Sequence, residues 1–196
     1  MTVFANSDRL RGFSNAMVIV TTLGIVLIAG LTILVFAGLM ILMFFLPDWT
    51  SNLSNWTSNL LLARMGEAGR DLALTPRSVA TAAAVTAVPV GVLLYGLWQA
   101  RALFVDFASG RVFTLTSARH LRNFAASVLA QAILGPVSST ALLLAFTFDN
   151  PPGRRQLAIA LSTNDYLALI IGGVLLAVAW VMVEATRIAD EHASFV

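Results

Sequence analysis

Two histidines, His120 and His192, and ten carboxylates make up the acids, bases and candidate metal ligands of this 196-residue chain, which has no cysteine. Thiolate metal sites, disulfides and cysteine nucleophiles are therefore excluded. Neither histidine stands in an HExxH or other paired-ligand spacing. No GxSxG elbow presents a serine, and Gly153 stands alone without a glycine-rich phosphate cradle. A membrane enzyme acting on lipid would need one of these constellations. The reading is a non-enzymatic protein with no cofactor and no metal.

The chemistry that does stand out is arginine. All 12 basic residues are arginine and none is lysine. Arg111, Arg119 and Arg122 crown a segment running from Gln99 to Phe124, and Glu184, Arg187 and Glu191 follow at spacings of three and four near the C-terminus. On a helix such spacings place charges on one face as a ladder. Arg111, Arg119, Arg122, Glu184 and Arg187 are thus candidate contacts for a partner or for lipid headgroups. The plainer reading of the arginines is topological, with guanidinium groups held at lipid phosphates. The sharper one is a docking surface for an acidic or nucleotide-bearing cytoplasmic partner. Glu184 is expected to pair with Arg187, or with Arg119 or Arg122.

These charges are rare. Only 11% of residues are charged and 58% are hydrophobic, with a mean hydropathy of +0.85. A soluble domain carries about 25% charge, so a soluble enzyme, a disordered chain and a disulfide scaffold are excluded together. The net charge of +2 rests on so few ionisable groups that it carries no nucleic-acid signal.

A spanning helix needs roughly 20 apolar residues, and four uncharged stretches qualify: Ala16 to Leu46, Ser78 to Ala100, Asn123 to Phe148 and Tyr166 to Val183. The first is too long for a signal-peptide core. Pro89, and Gly135 with Pro136, lie inside the second and third, where neighbouring helices can satisfy a freed carbonyl. A kink is expected at Gly135 and Pro136. The expected fold is all-α: a single domain over 1–196, with four membrane helices at about 16–46, 78–109, 117–148 and 165–191. The connections are an external loop at 47–77, a cytoplasmic turn at 110–116 and an external loop at 149–164.

With both termini inside, seven of the twelve arginines face the cytoplasm, which the positive-inside rule favours. The expected location is a bacterial inner membrane. Local signals add detail. Ser162, Thr163, Asn164 and Asp165 offer consecutive caps for the fourth helix, and Thr116 or Ser117 for the third. Gly110 suits the C-terminus of the second. In the turn region Leu103, Phe104 and Phe107 share an apolar face, with Asp106 off it. In the first external loop, Trp49 suits a headgroup anchor, and Leu53, Trp56 and Leu60 recur at helical spacing. That pattern reads as an interfacial helix. A lid is the sharper alternative, but amphipathicity by itself implies burial alone.

The pattern LFVDFASGRVFT followed by RHLR, Leu103 to Arg122, with a last helix ending EATRIADEHASFV, resembles the bacterial membrane proteins grouped as domain of unknown function 2975. Members commonly carry asparagine where this chain has Ser117, and a proline near Leu115; asparagine and serine cap equally well. Genes of members often neighbour a small helix-turn-helix regulator. The resemblance therefore implies a membrane partner or sensor for a small cytoplasmic DNA-binding regulator, with no direct nucleic-acid contact. Two other readings stand beside it. One is an accessory subunit packed against other membrane subunits through small residues such as Gly24, Gly30 and Gly38. The other is a transporter, for which the mid-membrane polar groups (Thr21, Thr22, Thr32, Gln131 and Ser138 to Thr140) are few.

Overall fold

In lipid every backbone polar group must be satisfied within the protein, which leaves helices as the means for an apolar chain like this one to cross. The computed structural model describes residues 2–45, 76–148, 159 and 161–193, and each of the four uncharged stretches is helical over its described length, up to Phe45 in the first and Thr147 in the third. The helices are α1 (Thr2–Phe45), α2 (Pro76–Ala108), α3 (Leu115–Thr147) and α4 (Thr163–Ala193). Each contains a window long and apolar enough to cross a membrane. There is no strand among the described residues. The fold is an all-α helical bundle, as its composition predicts. The amphipathic segment of the loop at 47–77 lies outside the described residues.

The helix ends show which local signals win. Helix α1 begins at Thr2 rather than near residue 16, because the preceding residues contain no proline and a helix continuing past the apolar span keeps its donors satisfied. Helix α2 ends in a paired motif. Gly110 N–H donates to Phe107 O at 3.0 Å and Arg111 N–H to Asp106 O at 3.0 Å. Gly110 has φ +81°, a left-handed conformation that would cost any other residue about 1–2 kcal/mol. Helix α3 is capped by Thr114, whose Oγ1 accepts from Ser117 N–H at 3.2 Å. That corrects the expectation of Thr116 or Ser117: both are already helical, and the Ser117 side chain is turned inward. Helix α4 is capped by Ser162. Its Oγ accepts from Asp165 N–H at 3.3 Å, and Asp165 Oδ2 accepts from Ser162 N–H at 2.9 Å, a reciprocal box. Helices α2 and α3 run unbroken through Pro89 and Pro136.

The helices contribute to two compact units. One comprises residues 1–29, 92–131 and 167–196. In it Leu103, Leu121 and Ala179 form a buried core against which Phe107, Leu175 and Met182 pack. Helices approach closely where a glycine leaves room: Gly96 faces Ser127, and Gly172 faces Leu129. The other comprises residues 30–91 and 132–166. There Gly135 of α3 accommodates the Asp165 carboxylate of α4. By contrast Gly24, Gly30 and Gly38 of α1 have no neighbouring atom within 4 Å of where a Cβ would stand, so among the described residues their smallness serves no close helix contact.

Hydroxyls inside the spans are engaged by their own helices. Thr21 and Thr22 donate to Met17 O and Val18 O at 2.8 and 2.6 Å, and Ser139 and Thr140 to Gly135 O and Pro136 O at 2.8 and 2.9 Å. Such back-bonding gives each hydroxyl proton an acceptor within its own helix.

Candidate functional site at the arginine end

The turn joining α2 to α3 is organised by Asp106, whose side chain is only 10% exposed. A carboxylate is rarely buried without partners, and this one has several. Arg111 Nη2 donates to Asp106 Oδ1 at 2.9 Å. The Ser117 hydroxyl donates to Arg111 O at 2.8 Å and lies 3.4 Å from Asp106 Oδ2. His120 Nε2 stands 3.9 Å from the same oxygen. On its far side His120 Nδ1 meets Gln99 Oε1 at 2.7 Å, an acceptor, so the proton is assigned to Nδ1. Together these contacts clasp the hairpin: the end of α2, the turn and the first turns of α3 all share one carboxylate.

The candidate contact residues therefore divide. Arg111 is folded back onto Asp106 and helps build the turn. Glu184 pairs with Arg187 at 3.0 Å, three residues on, so Arg187 is the partner among those expected. The Glu191 side chain lies outside the described ones. Arg119 and Arg122 are exposed and form no ion pair among the described residues. With Leu115 and Ala126 they occupy one exposed stripe of α3, at spacings of four, three and four.

Sequence reasoning placed Asp106 off the Leu103 face and gave it no role. The signal that could have found it is its position five residues before Arg111 across Gly110, the span that a left-handed helix end folds back on itself. Arg101 is one of the seven arginines expected on the cytoplasmic side. Its Nε donates to Thr22 Oγ1 on α1 at 2.9 Å, and its guanidinium lies 5.8 Å from the Trp98 ring centre. This desolvates a charge against an aromatic face at the edge of the span. No group of three or more His, Asp or Glu side chains that could hold a metal occurs among the described residues.

Four apolar helices with arginine grouped at the ends of their spans define a multi-pass helical membrane protein. The chain belongs to the family described as Protein of unknown function (DUF2975), whose model matches residues 50–196. The match takes in α2, α3 and α4 and leaves α1 outside. No curated protein and no solved structure matches the chain.

Proposed function

We propose that this protein is a non-enzymatic component of a bacterial inner membrane that holds a small cytoplasmic regulator of the helix-turn-helix type at its arginine end. In this reading both termini and the α2–α3 turn face the cytoplasm. The observation that carries it is the pair Arg119 and Arg122, exposed on a face of α3 and without an ion pair among the described residues. The clasp around Asp106 ties the first turns of α3 to the end of α2, and a preorganised surface loses less entropy on binding. Exposed Phe113 in the turn and Leu115 at the start of the same helix add the apolar component that arginine-rich interfaces use.

A second reading is favoured by the rest of that face. Ile133, Val137 and Leu144 continue on α3 as exposed apolar residues, which is the pattern of a lipid-facing helix whose arginines meet phosphates. Replacing Arg119 and Arg122 together by glutamine separates the two. The protein, tagged within residues 47–75 and expressed at native level, is captured in mild detergent. The expected result is unchanged membrane insertion and a fall of at least about tenfold in a co-purifying small DNA-binding protein, since each lost charge-assisted bond removes about 1.5–3 kcal/mol. Undiminished capture from the double variant overturns the docking surface and leaves the lipid reading.

A further inference from the structure

Helices α2 and α3 run antiparallel, and at the end away from their turn their facing side chains are too small to fill the space between them. On α2 the residues facing this space are Ser78, Thr81 and Val85, at spacings of three and four; on α3 they are Ala141 and Ala145, one turn apart. The result is a cleft of about 350 Å³, in the lower part of the range for small-molecule sites. Leu144 and Phe148, both partly exposed, form its outer wall on α3. The two hydroxyls inside do not make it polar. Ser78 is buried and hydrogen-bonded, and Thr81 donates to Arg77 O and Ser78 O at 3.0 and 2.9 Å.

Among the described residues lining this cleft one is charged: Arg77, exposed, at its mouth. None of the lining residues is acidic, and the Arg77 guanidinium has no ion pair among the described residues. A cation above an apolar slot in a membrane protein is complementary to a molecule with an anionic head and a hydrocarbon tail. We infer that this cleft seats one acyl chain of an anionic phospholipid whose phosphate is held by Arg77. Arginine suits this work because its planar fork matches phosphate in two-bond geometry and is only weakly hydrated. The slot takes the chain lengthwise between two helices, where it replaces the side-chain contacts that Ala141 and Ala145 do not make.

The test uses the full chain in non-ionic detergent, with native mass spectrometry to read bound lipid. Phosphatidylglycerol and phosphatidylcholine with identical chains are titrated separately. One phosphatidylglycerol should be retained about tenfold more tightly than phosphatidylcholine, the difference of one charge-assisted contact. Arg77→Gln should bring the two lipids level. Ala141→Phe, which fills the slot, should weaken both by tenfold or more, and Ala145→Phe serves as a second filling variant. Helicity and thermal midpoint are followed for each variant. On the unaltered chain, dihexanoyl phosphatidylglycerol should bind far more weakly than its long-chain counterpart. Equal retention of the two long-chain lipids by the unaltered protein overturns the role of Arg77. Retention that ignores both filling variants and chain length means lipid is held on the outside of the bundle. Displacement by millimolar inorganic phosphate, with no dependence on chain length, means a free-anion site. Either of these overturns the proposal.

Discussion

Replacing Gly172 with alanine should destabilise the detergent-purified protein by about 1–3 kcal/mol, the usual penalty for forcing a methyl group into a packed contact. The same change at Gly173 should leave stability unchanged or raise it by up to about 1 kcal/mol. The two glycines are adjacent, equally apolar and both inside α4, so propensity treats them alike: alanine is the better helix former by about 0.5–1 kcal/mol at either position. Their surroundings differ. A Cβ on Gly172 would stand 2.8 Å from Leu129 Cγ and 3.1 Å from the Leu129 backbone nitrogen, whereas one on Gly173 meets nothing within 4 Å. A side-chain tip could swing away, but a backbone nitrogen in the middle of α3 cannot. Helices α3 and α4 must separate, and the packing of Leu121 against Ala179 farther along the same pair loosens with them. Thermal midpoints of the two variants in one detergent decide the matter. Equal midpoints would show that the α3–α4 approach at Leu129 is not as close as described.

The second large effect runs against the exposure of the residues involved. Arg111→Gln should cost more than Asp106→Asn, although the arginine side chain is 63% exposed and the aspartate 10%. Removing the guanidinium leaves a buried carboxylate whose remaining neighbours are the new amide, the Ser117 hydroxyl and His120 Nε2 at 3.9 Å. Uncompensated buried charges cost about 3–5 kcal/mol in full burial. Arg111 is open to solvent and the pair is partly screened, so about 1–3 kcal/mol is expected here. The reverse change discharges the buried group and frees Arg111 into water, where it is well hydrated. That should cost less than about 1 kcal/mol. Neither substitution touches the backbone bonds of Gly110 and Arg111, so both variants keep the turn. If denaturation midpoints rank the variants in the opposite order, the Asp106 cluster is a solvent-screened surface group and the clasp is not electrostatic.

How far all this was legible in the sequence depends on the range of the interaction concerned. Spans were legible because lipid forbids an unsatisfied backbone, so an uncharged run has one available structure. The Glu184 and Arg187 pair was legible because helical spacing alone brings the two together. Ser162 was among the caps on offer, although only geometry selects it from Thr163, Asn164 and Asp165. The cap of α3 was not legible. Thr114, Thr116 and Ser117 all offer hydroxyls within four residues, and the choice follows from where Gly110 ends the previous helix. Asp106 was missed for a different reason. Periodicity along α2 sees one helix at a time, and Asp106 is buried by the first turns of α3. The same blindness applied to the small residues: Gly24, Gly30 and Gly38 resemble packing glycines, yet the close approaches fall at Gly96, Gly135 and Gly172.

The contact between Gly135 and Asp165 leads to an expectation about the thickness of membrane that suits this protein. Gly135 lies twelve residues before the end of α3 at Thr147, about 18 Å at 1.5 Å per residue. The polar cap of α4, Ser162 with Asp165, therefore stands about 18 Å below the end of its neighbour. That neighbour cannot rise into water to make up the difference, because Val137, Leu144 and Phe148 are exposed and apolar over the intervening stretch. Lipid must cover α3 at a height where α4 already presents charge and hydrogen-bonding groups to its surroundings. Lipid that follows both contours is thinner beside α4 than beside α3. Deforming lipid costs a fraction of a kcal/mol for each ångström of mismatch, and a membrane that is already thin removes most of that burden. In reconstituted bilayers of stepped chain length, stability should peak below the ordinary hydrocarbon thickness of about 30 Å. A peak at or above that value would mean that α4 and α3 end level with each other in the membrane.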